Sequence, residues 1–271
     1  MMRSPTLTCM SLALLLMLAP AAALDADLKP PTTAAFDRYV AAAERRMDAE
    51  LKRADPFLWI DTLAPARRQQ LTERLRRGEV VTERLRLAEK IDVPDGLVHH
   101  WVGTVFIPGV RVGAVVALMQ DYDRHATVFR PNVVQSKTLA RDGDRFRLFL
   151  RFYMKKVIGA TLDTEHEARF VTVAPDRVYS TIRSTRVAEV EDAGTPSEHE
   201  LPPGKGHGFM WRLNTYWRFL ERDGGAYVQC ESLTLSRDVP FGLGWIVKPF
   251  ITDVPMESLA FTLQRIKAAV R

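Results

Sequence analysis

Residues 209–221 read FMWRLNTYWRFLE and residues 226–236 read AYVQCESLTLS, joined through Asp223-Gly224-Gly225. Two runs rich in aromatic and β-branched residues around an Asp-Gly turn spell a hairpin. Odd positions of the first run are Trp211, Leu213, Thr215, Trp217 and Phe219; even positions are Arg212, Asn214, Tyr216 and Arg218. Successive strand side chains point to opposite faces, so one face of this hairpin is apolar and the other charged. A Pro/Gly-rich crossing, DVPFGLGWIVKPF (238–250), comes next, and then an amphipathic helix over 255–270. At 100° per residue Met256, Leu259, Ala260, Leu263, Ile266 and Val270 share one arc, and Pro255 suits a first helical turn. Phe261 points away from that arc, and the N-terminal helices are expected to cover it. A curved sheet that finishes by laying a helix across its apolar face encloses space, and such space suits apolar molecules.

Upstream, the same alternation recurs. Strands are expected over 80–87, 98–107, 132–141, 144–157, 165–174 and 177–190, with a helical stretch, 112–123, after the second. The breaks are Pro94-Asp95-Gly96, Pro108-Gly109, Asp142-Gly143, a bend at 158–163 and Ala174-Pro175-Asp176. Phe146, Leu148, Leu150, Phe152 and Met154 share one face of their strand, and His166, Ala168 and Phe170 one face of theirs. The opposite faces carry Arg145, Arg147, Arg151, Glu165, Glu167 and Arg169, a chequer that reads as a solvated surface. Residues 191–208 are polar and rich in Gly and Pro, which reads as an exposed loop or mobile flap.

The chain has 271 residues and a formal net charge of +5. Arg3, the apolar run Leu12–Leu18, and Ala21-Ala22-Ala23 followed by Asp25 and Asp27 have the order of a secretory signal peptide, residues 1–23. The apolar run is shorter than the roughly 20 residues a membrane-spanning helix needs. Cleavage would remove Cys9, leaving Cys230 with no intrachain partner in an oxidising, periplasmic or secreted setting. Residues 24–77 read as a helical extension: Pro30-Pro31-Thr32-Thr33 as a linker, helices over 34–53 and 64–77. Arginines are scattered, so no nucleic-acid stripe is present, while peripheral contact with an anionic membrane stays open.

Three phrases carry a family resemblance: WVGTVFIPGV (101–110), VGAVVALMQDYDRH (112–125) and SRDVPFGLGWIVKPFITDVPMESLAFTLQRI (236–266). They resemble the START-like (SRPBCC, helix-grip) superfamily, which includes lipid-transfer START domains, polyketide cyclases and the birch-pollen allergen. The resemblance covers roughly residues 78–271 and implies an α+β helix-grip fold. The superfamily has no universal catalytic residue, so none is carried over.

Small polar residues (Thr215, Ser180, Ser184, Cys230, Ser232) stand among the aromatics of the apolar faces, which suits a pocket with a few orienting contacts. The expected ligand-binding set is Trp211, Leu213, Thr215, Trp217, Phe219, Phe170, His166, Leu259 and Leu263. None of the six histidines stands in HExxH spacing and no nucleotide glycine motif occurs, so no metal and no cofactor are expected. His99 and His100 face opposite ways on a strand, so at most one enters a cavity. The leading expectation is an exported protein that binds a hydrophobic or lipid-like small molecule. Its alternatives are a cyclase- or hydratase-type enzyme using His166 or a buried Arg/Glu pair, and an envelope interaction module that holds no ligand. Were the register reversed, Arg147, Arg183, Arg212 and Glu231 would converge on an anionic headgroup.

Overall fold

The computed structural model describes residues 26–53, 55–155, 159–238 and 254–270. The leader 1–23 and the crossing at 239–250 lie outside them. Two helices come first, α1 (Pro30–Leu51) and α2 (Pro65–Arg76), followed by β1 (Val81–Arg84) and β2 (Gly96–Pro108). Then come α3 (Val112–Gln120), α4 (His125–Val128), β3 (Val133–Asp142), β4 (Arg145–Lys155), β5 (Gly159–Ala174), β6 (Arg177–Glu191) and β7 (His199–Glu200). The hairpin β8 (Arg212–Arg222) and β9 (Gly225–Arg237) precedes the last helix, α5 (Val254–Ala269). The architecture is an α+β helix grip.

One antiparallel sheet runs in the order β1-β2-β9-β8-β6-β5-β4-β3, with β7 added beside β6. The deciding hairpin turns in two residues: Asp223 and Gly224 both have positive φ, as a right-twisted hairpin prefers. Gly225 already pairs with Pro108 in the ladder, and a Cβ there would stand 2.4 Å from the Ile107 carbonyl oxygen. Several boundaries differ from the sequence reading, among them β1, which ends at Arg84 instead of reaching 87. Pro30-Pro31 opens α1 instead of preceding it, since proline suits the first helical turn. Residues 159–163 belong to β5. The stretch 112–123 breaks after Gln120 into a short turn, Tyr122–Arg124.

The inner face of the sheet carries α3, α4 and α5 over a core of Val105, Ile107, Leu148, Phe170, Phe219, Val228, Leu263 and Ile266. Helix α5 packs tightly on Gly103 of β2, where an added Cβ would meet Leu263 Cδ1 at 2.7 Å. Phe261 is half-buried, and α1 and α2 lie on the other side of the sheet.

The outer face of the central strands is not solvated. Helix α1 packs Phe36, Val40, Ala43 and Met47 on Tyr179, Trp211, Tyr216, Leu233 and Leu235. Leu71 and Leu75 of α2 join Phe106, Leu220 and Tyr227. The charges are buried with them: Arg218 and Glu231 are each 2% exposed. Arg218 donates to Glu50 (2.6 Å) and to the Phe57 carbonyl (2.7 Å). Glu231 accepts from Arg46 and His100, and Glu44 from Tyr216 (2.5 Å) and Arg183. Alternation alone could not reveal this, because the partners sit some 130–190 residues away in sequence. The headgroup convergence fails for the same reason: Arg183 is paired to Glu44, Arg147 to Glu165 (3.5 Å), and Arg212 donates to the Trp211 carbonyl. The outer strands β4 and β5 keep the expected chequer at Arg145, Arg147, Glu165, Glu167 and Arg169, whereas Arg151 is drawn into a largely buried pair with Asp163 (2.6 Å).

Candidate functional site: a cavity between the sheet and the last helix

Between the inner face and α5 lies a cavity of about 150 Å³. Its floor is strand surface. Leu213, Thr215 and Trp217 come from β8, Cys230, Ser232 and Thr234 from β9, and His99 from β2. Its roof is the first turns of α5, with Val254, Pro255, Ser258, Leu259 and Thr262. The walls are Phe129, Asn132 and Val133 where α4 runs into β3, Phe152 and Met154 of β4, and Phe209 with Met210 ahead of β8. The described lining contains no Asp, Glu, Lys or Arg.

Of the expected residues, Leu213, Thr215, Trp217 and Leu259 line this cavity. Phe219, Phe170 and Leu263 lie on the inner face but in the packed core beside it. His166 is 2% exposed and sits edge-on to Phe152, its Nε2 2.8 Å from Thr164 Oγ1. It therefore supports the wall without lining it. Trp211 lies on the outer face, against α1. It precedes β8 in a bend, with its N–H bonded to the Leu235 carbonyl, so strand alternation does not extend back to it.

The sequence reading allowed one of His99 and His100 into a cavity without choosing, and it is His99; Thr234 and the walls it missed. The signal for Thr234 was present, since Cys230, Ser232, Thr234 and Ser236 alternate along β9. In register, His99 pairs with Thr234 and Thr215 with Ser232, so these four form a contiguous polar strip on an otherwise apolar floor. The Trp217 indole N–H donates to Thr215 Oγ1 at 3.1 Å, and the ring stacks parallel to Phe219. Burial holds the His99 imidazole at about 4, helped by the Arg84 charge, so the ring is neutral at pH 7. Burial also pushes the Cys230 thiol up, which makes it a poor nucleophile.

Residues 191–200 are exposed, as expected of a loop, but the segment that follows is pinned. Buried Glu189 accepts from the backbone N–H of His207 (2.8 Å) and of Phe209 (3.2 Å). Ala26 and Leu28 donate backbone bonds to Gly206 and Gly204. Phe209 and Met210 thus enter the cavity from an anchored strap.

No family model and no curated protein matches the chain. Among solved structures it is similar to a STAR-related lipid transfer protein fragment from Xanthomonas axonopodis (18% identity, 67% of this chain and 97% of that one, TM-score 0.44). It is also similar to an aromatase/cyclase from a Streptomyces strain (12% identity, 64% and 94%, TM-score 0.44). A human lipid transfer and protein localization domain is similar too (8% identity, 77% and 98%, TM-score 0.43). At such scores the likeness carries no argument about the site, which rests on this chain's own geometry.

Proposed function

We propose that this protein binds an apolar small molecule between its sheet and α5. The observation that carries the reading is the cavity itself, walled by Phe129, Phe152, Met154, Phe209, Met210, Trp217 and Leu259 with no ionisable acid or base other than neutral His99 and the buried Cys230 thiol among its described residues. An apolar cavity near 150 Å³ takes a benzene-sized molecule, and burial returns about 25 cal/mol per Å² of apolar surface. A longer, lipid-like chain would need α5 or the 209–210 wall to move outward. The cyclase reading wants an acid–base pair in the lining, and the described lining supplies no carboxylate.

Calorimetric titration with benzene, toluene and propylbenzene tests this. Saturable binding is expected, weakened at least tenfold in Trp217→Ala and unchanged in Arg147→Ala, an exposed outer-face control. Arg218→Ala is unsuitable as that control because its side chain is buried in an ion pair. Truncating a buried Trp costs about 3–5 kcal/mol of stability, so the comparison is restricted to variants that unfold cooperatively. Trp217→Phe provides a milder second case. Absence of binding by all three probes would sink the reading.

We further propose export, on the order of Arg3, Leu12–Leu18 and Ala21-Ala22-Ala23. N-terminal sequencing of the protein recovered from outside the cytoplasm should begin at Leu24. A chain still starting at Met1 in the membrane fraction would mean an anchor.

A further inference from the structure

The polar strip on the cavity floor has unused hydrogen-bonding capacity, and its pattern is specific. Thr234 is 8% exposed and lines the cavity, yet its hydroxyl has no partner among the described residues. The same holds for the Ser232 hydroxyl. His99 Nε2 lies 2.8 Å from Ser236 Oγ, and Ser236 gives its own hydrogen to the Arg237 carbonyl at 3.2 Å. The Ser236 hydroxyl has one hydrogen; placed on the Arg237 carbonyl, it makes Nε2–H the donor to Ser236 and leaves Nδ1 a lone-pair acceptor with no partner among the described residues. One wall of an apolar cavity thus offers an acceptor on β2 and two hydroxyls on β9, with His99 and Thr234 directly opposite in register.

A ligand that only filled the apolar space would leave these groups desolvated and unpaired, which is unfavourable. A charged head would find no counter-ion in the described lining. A carbonyl or ether oxygen can accept from Thr234 but has no hydrogen for His99. An alcohol has both.

We propose that the ligand is an uncharged alcohol, its hydroxyl seated on the His99–Thr234–Ser232 strip and its apolar body between Trp217 and Leu259. This rests on the apolar-cavity reading above and narrows it to one chemical class. Neutrality of the His99 ring at pH 7 agrees with it.

Four probes with the same body separate the possibilities: 3-phenylpropan-1-ol, its methyl ether, 3-phenylpropanoate and propylbenzene, titrated into the full chain at pH 7.5. The alcohol should bind about tenfold tighter than the ether or the hydrocarbon, and the carboxylate weakest. Thr234→Val, which removes a hydroxyl at nearly constant shape, should cost the alcohol about threefold to tenfold and leave propylbenzene within twofold. Ser232→Ala gives the same comparison should the valine variant fail to fold. Equal binding of alcohol and ether, or carboxylate binding as tight as alcohol, overturns this inference while the apolar cavity stands. Failure of all four while benzene or toluene still binds overturns this inference alone; failure of benzene and toluene as well overturns both.

Discussion

His166 was the sequence's candidate acid or base, and its surroundings give it a different property. Burial alone holds its pKa at about 4, against an ordinary value of 6.5. His125 is held at about 4 as well, burial outweighing its backbone bonds and the nearby Asp121 and Asp123, and so is His99. A group whose folded pKa is depressed stabilises the fold fully above its unfolded pKa and loses that contribution as pH falls toward its folded value. For these three the loss runs from about 6.5 down to about 4, on the order of 1 kcal/mol per pH unit for each. Carboxylates with lowered values, such as Glu50, act below 4.5 and so largely outside that window. Urea midpoints at pH 7.5, 6.0 and 5.0 should therefore fall steadily. His166→Gln should flatten that fall by about one proton's worth, whatever its own stability. An unchanged slope would mean that His166 does not charge on unfolding.

At the scale of elements, the period-2 pattern of β8 showed in the sequence because every second residue from Leu213 to Phe219 meets the same inner surface. Trp211 was misplaced because its backbone leaves the ladder one residue before the strand begins. The anchored strap was hidden for another reason: besides the His207 ring, Glu189 binds the backbone N–H groups of His207 and Phe209, and backbone bonds leave no trace in the identity of their donors. The seat of the last helix was equally silent in the sequence, since Gly103 reads as one more small residue in a strand. In the structure it is where α5 touches down, and a side chain there would collide with Leu259 and Leu263. Gly103→Val should lift the helix and distort the cavity roof. Overpacking of this kind costs about 1–3 kcal/mol, measurable as a lower urea midpoint, and propylbenzene affinity should change with it. A variant with wild-type stability and affinity would show that α5 does not rest on this glycine.

Taken whole, the molecule has two interiors separated by one sheet: an apolar one under α5 and an ionic one under α1. The second was unreadable because the chequer of Arg and Glu on β8 and β9 has the composition of a wet surface, and its partners arrive from α1. Burial decides how much such charges matter. Glu231 is enclosed by Arg46 and His100, while Glu165 meets Arg147 at the open edge with 33% and 60% of their side chains exposed. Removing one member of a buried pair costs about 3–5 kcal/mol, whereas an exposed pair contributes about 0–1 kcal/mol. Glu231→Gln should accordingly destabilise strongly and Glu165→Gln scarcely at all, as read from denaturant unfolding. Comparable small effects would mean that α1 is held by its apolar contacts alone.

Because β8 serves both interiors, its two alternating sets cannot trade places. Trp217 and Arg218 are neighbours in the chain but belong to environments of opposite polarity. A single inserted or deleted residue ahead of them would send the guanidinium into the oily chamber and the indole among the carboxylates, and every other position of the strand would be reversed with them. Substitutions in this strand act one site at a time; a frame slip fails everywhere at once. The lineage of this protein should therefore tolerate changes of letter in 212–222 far better than changes of length, with length variation confined to places such as the exposed turn at 192–198.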